Sequence, residues 1–394
     1  MGQIDRRALL RGGLVLGCSA AASPLLTPVA FAQAPWENRL VVIVLRGAMD
    51  GLDAIRPVGD PDYAALRPTL LRGGAAMGTG FFALHPALER LGPMWARGEF
   101  GAVHAVSTPY RDKRSHFDEQ DILEAGLPGA GHGADGWLNR MLQAVPGLST
   151  ETAYAVGRER MLILSGAAAV QRWSPEARLR LTPQGRRLLE LVSHDDPLFR
   201  DATSRAIDLV EVLAREVETE EPQIDAGGRV ADHVQLAEFA ASRLRVDTRI
   251  ASFSINGWDT HDRQAAGLSR ALERLADTLL ALETGLGTAW SKTAVLCVTE
   301  FGRTARENGT KGTDHGTGGA MLFAGGALRG GRILGDWPGL SEADLYARRD
   351  LMPTRDVRAH AGWVMRRLFG LERRVIEGAV FPGLDLGGDP GLVA

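Results

Sequence analysis

The chain has no excess of charge of either sign. Its 45 Lys and Arg residues and 48 Asp and Glu residues leave a formal net charge of −3 over 394 residues. Domains that bind nucleic acids usually carry a strongly basic surface, so the composition gives no case for a nucleic-acid partner. A chain of this length holds one large domain or two smaller ones and can bury a sizeable core.

Long apolar segments are also missing. A membrane-spanning helix needs about 20 consecutive apolar residues, whereas the weakly apolar stretch from Gly12 to Ala32 contains prolines and many small residues. Arg6 and Arg7 ahead of it form a twin-arginine signature, and a small-x-small cleavage site stands directly before Gln33. We therefore interpret residues 1–32 as a removable signal. The mature protein is predicted to use the twin-arginine export machinery, to reside in the periplasm or outside the cell, and to have no stable membrane anchor.

Cysteine is scarce. Only Cys297 of the two cysteines remains after removal of the predicted signal, so the mature chain has no internal disulfide. Cys297 lies in an apolar run, where a small buried side chain is expected rather than a reactive thiol. The other cysteine, Cys18, stands in a faint lipobox at residues 15–19. A lipid-anchored surface protein is therefore a weaker alternative to plain cleavage.

The residues that are present predict an α/β fold. The apolar run Ile250–Ile255 is followed by a helical pattern from Gln264 to Glu283 and by the apolar run Thr293–Val298. Leucines at three- and four-residue spacing give that helix one apolar face. A strand-helix-strand unit of this kind has parallel strands, so their carboxyl ends meet at one edge of the sheet. Further strands are predicted at 40–45, 101–107, 152–156, 161–165 and 320–324.

A helical insertion is predicted at about 185–245. Amphipathic patterns run from Ala206 to Val217 and from Val230 to Leu244, with a polar linker between them. We interpret this segment as part of a single domain, 33–388, and residues 389–394 as a tail.

Three of the predicted strands run directly into side chains that bind metals. Asp50 follows the first of these strands, Asp259 and His261 follow the second, and Glu300 follows the third, while His315 precedes the last predicted strand. Ligands bind beyond the carboxyl ends of the strands in open α/β sheets. Carboxylates with imidazoles suit zinc or manganese. The pattern predicts a site for metal-assisted hydrolysis.

Several of these residues have a second interpretation. Asp50 is equally explained as a helix N-cap, and Asp259 as a cap of the helix that follows it. Glu300 needs a cation at its depth, either a metal or Arg303. Arg303 in turn either pairs with Glu300 or clamps a phosphate or sulfate group.

The loop at 307–319 is dense in glycine, which is expected where a loop folds over a site. Asp314 in this loop is expected to orient a metal ligand. The loop lacks the spacing of a nucleotide-binding P-loop.

A further polar cluster lies where a helix is predicted to begin. The Ser115 hydroxyl is a candidate nucleophile, and the helix N-terminus favours a bound anion. The alternative is a variant capping box, because Asp118 stands three residues after Ser115. His116 is either a metal ligand or a hydrogen-bond partner of the product.

Five segments of the chain belong together as motifs: Leu45-Arg46-Gly47-Ala48-Met49-Asp50-Gly51-Leu52, Arg114-Ser115-His116-Phe117-Asp118, Trp258-Asp259-Thr260-His261, Thr299-Glu300-Phe301-Gly302-Arg303-Thr304 and Thr313-Asp314-His315-Gly316. They resemble the family called domain of unknown function 1501, over nearly all of the mature chain. That family is similar to the alkaline phosphatase/sulfatase superfamily. The resemblance implies a three-layer α/β/α sandwich with a mostly parallel central sheet, one or two metal ions, and a Ser, Thr or modified Cys nucleophile.

The resemblance also implies site residues, with Phe301 standing in place of one ligand. The expected function is exported hydrolysis of phosphate or sulfate esters, on a small molecule or a polymer, with Ser115 attacking and Arg303 or His116 stabilising the oxyanion. The alternative is an exported non-catalytic binding or accessory protein with a degenerate metal site. The expected ligands of the zinc, manganese or calcium ions are Asp50, Asp259, His261, Glu300 and His315.

Overall fold

The computed structural model describes residues 34–71, 77–111, 114–129, 135–175 and 231–394. The predicted export signal and most of the predicted helical insertion lie outside these residues, so both stay predictions. No helix in the described ranges is long and apolar enough to cross a membrane.

The strands, numbered along the chain, are β1 (Arg39–Arg46), β2 (Ile55–Arg56), β3 (Ala83–Leu84), β4 (Phe100–Ser107), β5 (Ala153–Val156), β6 (Gln171–Trp173), β7 (Ile250–Asn256), β8 (Thr293–Val298), β9 (Gly319–Ala324), β10 (Ile333–Leu334) and β11 (Arg355–Asp356). The α-helices are α1 (Gly51–Ala54), α2 (Tyr63–Leu66), α3 (Gly92–Ala96), α4 (His116–Ala125), α5 (Trp137–Gln143), α6 (Asp232–Leu244), α7 (Gln264–Leu286), α8 (Val357–Phe369) and α9 (Arg373–Val375). Short 3-10 helices lie at Pro86–Leu91, Thr150–Thr152, Leu162–Leu164 and Gly287–Lys292, and a π-helical turn at Ile376–Val380.

One large sheet forms the centre of the molecule. Its strand order is β10-β4-β9-β8-β1-β7-β5-β6, and β11 also pairs with β4. The central strand β1 is parallel to both β7 and β8. The predicted parallel direction of β7 and β8 is thus confirmed, although β1 lies between them. Strand β9 runs antiparallel to its neighbours β8 and β4.

The side chains of β1 show why the sheet is covered on both faces. Alternate residues enter two separate cores, and a sheet with two buried faces needs apolar side chains at every position. Val41, Ile43 and Leu45 join one core with the leucines of α7. Leu40 and Val42 join the other with residues of α5 and α8. The predicted three-layer α/β/α sandwich is confirmed.

Helix α6 is the described end of the predicted insertion. Its residues Ala237, Ala240 and Leu244 are buried in the same core as the leucines of α7, so this helix belongs to the layer on the sheet. Cys297 is fully buried in β8, as predicted.

One predicted strand is wrong. The apolar run at 161–165 forms a 3-10 turn, Leu162–Leu164, rather than a strand. The Ile163 amide donates to the Glu124 carboxylate at 3.0 Å. A side chain therefore satisfies the backbone that a sheet partner would otherwise satisfy.

Strand β4 contains a histidine that makes the fold sensitive to acid. The His104 Nε2 lies 3.0 Å from the Ile55 carbonyl, and Nδ1 accepts from the Ala105 amide, so the ring is neutral. Burial lowers its pKa from 6.5 to about 4. An unfolded chain binds a proton in this interval and the folded chain does not. The stability that depends on neutral His104 is therefore present above pH 6.5 and is lost as the pH falls toward 4.

We expect wild type to lose about 2 kcal/mol of unfolding free energy through this residue between pH 7 and pH 5. His104→Gln removes the titrating group, so its loss over the same interval should be smaller by that amount. Denaturant unfolding at both pH values measures the two losses. An identical pH dependence in wild type and variant would show that His104 is not the source.

Candidate metal centre

The carboxyl ends of β1, β7 and β8 bring three loops into contact. Gly47, directly after β1, has φ +118°, and a Cβ there would lie 2.5 Å from the Asp259 amide nitrogen. Only glycine allows the turn after β1 to pack this closely on the loop after β7. Asp259 and Glu300 thereby come to the same edge of the sheet, as predicted from the parallel strands.

Glu300 lies behind the centre and orients a histidine. Its buried carboxylate lies 2.9 Å from His116 Nδ1 and accepts from the Gly47 amide at 2.9 Å and from Gln120 at 3.0 Å. Burial alone would raise the pKa of Glu300, but the hydrogen bonds from His116, Gln120 and Gly47 outweigh it and hold that pKa below its ordinary value. The ionised Glu300 accepts a hydrogen bond from His116 Nδ1, so Nε2 is the nitrogen of His116 that faces the centre and could bind a metal.

His315 is fixed in the same way by a main-chain group. Its Nδ1 lies 2.7 Å from the Arg114 carbonyl, which can only accept a hydrogen bond. Burial lowers the pKa of His315 and outweighs the opposite effect of the Arg114 carbonyl, so the ring is neutral. The lone pair of His315 is therefore on Nε2.

The Nε2 atoms of His116 and His315 both lie close to the Asp259 carboxylate. His116 Nε2 lies 3.6 Å from Asp259 Oδ2, and His315 Nε2 lies 3.7 Å from Asp259 Oδ1. Both Nε2 atoms are buried and have no hydrogen-bond partner among the described residues. The three ligand atoms lie within 4.8 Å of one another. Ligands of a tetrahedral ion with bonds of about 2.1 Å are roughly 3.5 Å apart, so His116, Asp259 and His315 fit one divalent ion.

This triad differs from the predicted ligand set. His116 joins the candidate ligands, which agrees with one of the two roles proposed for it from the sequence, and Glu300 lies behind His116 as its hydrogen-bond partner. Phe301 also belongs to the surroundings, because its ring packs against His116 and His315 at centroid distances of 5.1 and 4.8 Å. Phe301 therefore gives both histidine rings an apolar neighbour.

Asp50 lies in a separate buried cluster, away from the triad. Its carboxylate accepts from Arg67 at 2.6 Å, from Gln264 at 2.7 Å and from Thr313 at 3.2 Å. It also caps α1 by accepting from the Asp53 amide. Both oxygens are thus occupied by donors from the chain, and the N-cap interpretation of Asp50 describes its place better than the ligand interpretation.

His261 stands next to the triad but has partners of its own. Its Nε2 lies 3.1 Å from Asp259 Oδ1 and 3.3 Å from Arg303 Nη1, and its Nδ1 lies 3.3 Å from Asp314 Oδ1. Asp314 therefore orients a histidine, as expected, but the histidine is His261 rather than a member of the triad.

Arg303 is not placed to clamp an anion. Its buried guanidinium donates to the carbonyls of Ala48, Gly47, Trp258 and Thr313 and to Asp259 Oδ1, the last at 2.6 Å. With the contact to His261, every N–H is used. The predicted pairing with Glu300 and the predicted oxyanion role of Arg303 are both corrected, since no donor is left for a substrate.

The glycine-rich loop packs against the backbone after β8. Arg303 pairs with His315 in an antiparallel bridge. A Cβ at Gly302 would lie 1.8 Å from the Gly318 carbonyl oxygen. Only glycine at position 302 allows the backbone of the glycine-rich loop to pack this closely, and this packing holds His315 at the edge of the sheet.

Ser115 immediately precedes His116 at the N-terminus of α4. It is half-buried, and its side chain makes no capping hydrogen bond within the described residues. The capping-box alternative is therefore wrong, while the role of Ser115 as nucleophile stays a prediction.

A polar cavity of about 440 Å³ opens beside the triad. His116 and Asp259 lie in its wall together with Arg46, Gly47, Gln120, Glu159, Arg160 and Asn256. Most of these residues were not singled out from the sequence. Arg46 and Asn256 end β1 and β7, and Gln120 lies one helical turn after His116, so strand-end position and helical spacing were the available signals.

The family assignment follows from residues 105–380, which match the family described as Protein of unknown function (DUF1501). The chain belongs to this family. The resemblance stated from the five motifs is thereby confirmed. No curated protein matches the chain.

Solved structures that resemble the chain include a protein in the alkaline phosphatase superfamily, a sulfatase and a zinc-bound periplasmic domain. A protein in the alkaline phosphatase superfamily from Vibrio parahaemolyticus is 11% identical, with 84% of this chain and 71% of that chain covered and a TM-score of 0.36. A 2-O GAG sulfatase is 9% identical, with 76% and 66% covered and a TM-score of 0.37. The C-terminal periplasmic domain of EcEptC from Escherichia coli, in complex with zinc, is 11% identical, with 74% and 74% covered and a TM-score of 0.33. With scores this low, the fold assignment rests on the sheet order and layers described above.

Removing the charge of Glu300 should weaken the centre without removing a ligand. Glu300→Gln keeps the shape but loses the charge-assisted bond that orients His116, so zinc affinity should fall about 10- to 100-fold. Calorimetric titration of the metal-stripped protein with zinc measures this. Glu273→Gln, which removes the same charge from the exposed face of α7, is the matched control and should bind as wild type does. Equal affinity in both variants would show that Glu300 does not support the ligand.

Proposed function

We propose that this protein is an exported, metal-dependent hydrolase of phosphate or sulfate esters. The observation that carries the proposal is the convergence of two unpartnered histidine nitrogens on Asp259 in the wall of a polar cavity. A divalent ion bound by His116, Asp259 and His315 would polarise the ester and stabilise the negative charge that develops on it.

The cavity suits a polar, anionic substrate of modest size. Arg46 is neutralised by Glu124 at 2.6 Å and by Glu159 at 2.8 Å. Arg160 is exposed and forms no ion pair with a described residue. Arg160 is therefore the cation on the cavity wall that is available to an anionic group of the substrate.

Ser115 is the proposed nucleophile. Its hydroxyl is not used as a helix cap, and it immediately precedes the ligand His116. As the serine oxygen bonds to phosphorus or sulfur, the bond to the alcohol breaks and the alcohol leaves with the serine proton. Water then cleaves the serine ester and restores the hydroxyl.

A second candidate function is a non-catalytic binding or accessory protein. Two observations favour it: the donors of Arg303 are all occupied within the chain, and Ser115 is not among the residues that line the described cavity. Such a protein would hold the metal and an anionic ligand without turnover.

The two functions differ in turnover. Purified protein should contain zinc or another divalent ion and should hydrolyse members of a panel of phosphate and sulfate esters. His315→Ala should lower metal affinity by at least about 100-fold and abolish hydrolysis. His233→Ala, a half-buried histidine outside the site, should do neither. Wild type without metal affinity would contradict the hydrolase, and metal without turnover would support the binding protein.

Arg160 should affect substrate binding more than chemistry. Arg160→Ala removes one charge-assisted contact, so KM should rise about tenfold while kcat stays near the wild-type value. Arg158→Ala is the matched control, because Arg158 pairs with Asp232 at 3.9 Å and does not line the cavity. Steady-state kinetics on the best ester of the panel compares the variants. Equal KM values for both variants would remove Arg160 from the substrate site.

A further inference from the structure

Three histidines meet at this edge of the sheet, and one of them differs from the others. The Nε2 atoms of His116 and His315 have no hydrogen-bond partner among the described residues, whereas His261 Nε2 faces Arg303 Nη1 at 3.3 Å. The same nitrogen lies 3.1 Å from Asp259 Oδ1, and the other ring nitrogen lies 3.3 Å from Asp314 Oδ1. Both nitrogens of His261 therefore already face charged groups of the chain.

Arg303 cannot easily leave this position. Its side chain is fully buried, and its carbonyl acceptors come from the loop after β1, the loop after β7 and the glycine-rich loop. A guanidinium bonded to three separate segments is held by all of them. Displacing it would leave several buried carbonyls without a donor, which is unfavourable.

The two carboxylate oxygens of Asp259 have different neighbours. Oδ1 accepts from Arg303 Nη2 at 2.6 Å, and Oδ2 is the oxygen nearer to His116 Nε2, at 3.6 Å. An ion placed between Asp259 and His261 would stand against the guanidinium itself. Two positive charges about 4 Å apart repel each other strongly at a partly buried site.

We propose that the centre holds a single divalent ion, and that the guanidinium of Arg303 serves as a permanent second cation beside Asp259, so that no ion binds at His261. This inference rests on the proposed metal site and states how many metal ions that site binds. His261 is then a positioning residue, held between Arg303 and Asp314, and not a ligand.

The charges of the site agree with this capacity. Asp259, Glu300 and Asp314 are the carboxylates in contact with the three histidines. Their charges are balanced by Arg303 together with one divalent ion. A second divalent ion would leave an uncompensated positive charge in a partly buried site, which is unfavourable.

The capacity is measured by titrating the metal-stripped full chain with zinc and counting the ions retained after gel filtration. One ion per chain is expected for wild type. His261→Ala should also retain one ion, with an affinity within about threefold of wild type, because the cation beside His261 is the Arg303 guanidinium and not the metal. His315→Ala should lose at least about 100-fold in affinity. The exposed position of His261 makes its alanine variant a fair test, and thermal unfolding confirms that both variants fold.

The outcomes separate this inference from the proposed function. Two ions per chain in wild type would overturn it while leaving a metal-dependent hydrolase in place. A loss of affinity in His261→Ala equal to that in His315→Ala would do the same, because it would make His261 a ligand. Absence of zinc binding by wild type would overturn the inference and the proposed function together.

Discussion

The site depends on the hydrogen bonds that the buried guanidinium of Arg303 donates to the loops around it. Its acceptors are backbone carbonyls from loops that follow different strands, together with one oxygen of Asp259. A planar cation with five donors can satisfy several buried carbonyls at once. The loops consequently have a fixed relative position, and Asp259 is presented to His116 and His315 with its charge already partly compensated.

Around this fixed point, the histidines acquire their roles from what lies behind them. The Glu300 carboxylate accepts a hydrogen bond from His116 Nδ1, and the Arg114 carbonyl accepts one from His315 Nδ1. The Nε2 atom of each ring has no such partner among the described residues. The same imidazole at His261 has Arg303 and Asp259 beside one ring nitrogen and Asp314 beside the other. Chemically identical side chains therefore play different parts, and the difference lies entirely in their neighbours.

The dependence of each side chain on its neighbours explains which parts of the structure could be predicted from the sequence. Parallel strands, their common edge and the closeness of Asp259 and Glu300 follow from the order of apolar runs and polar residues. The partner of Asp50 could not be predicted, because Arg67 comes from a segment without a strong pattern. Nor could the position of Glu300, two residues past the end of β8, show whether it is a metal ligand or a support for one. The run at 161–165 failed as a strand because a side-chain carboxylate supplies its hydrogen bond.

The antiparallel strand β9 has a consequence for the order in which the site forms. It begins at the edge where β1, β7 and β8 end, so a ligand that precedes a strand can join a ligand that follows one. The three candidate ligands come from segments far apart in the chain and meet only when the central sheet has formed. The unfolded chain has no such site, so binding of an ion there would be thermodynamically linked to folding. An occupied centre would then mark a finished fold.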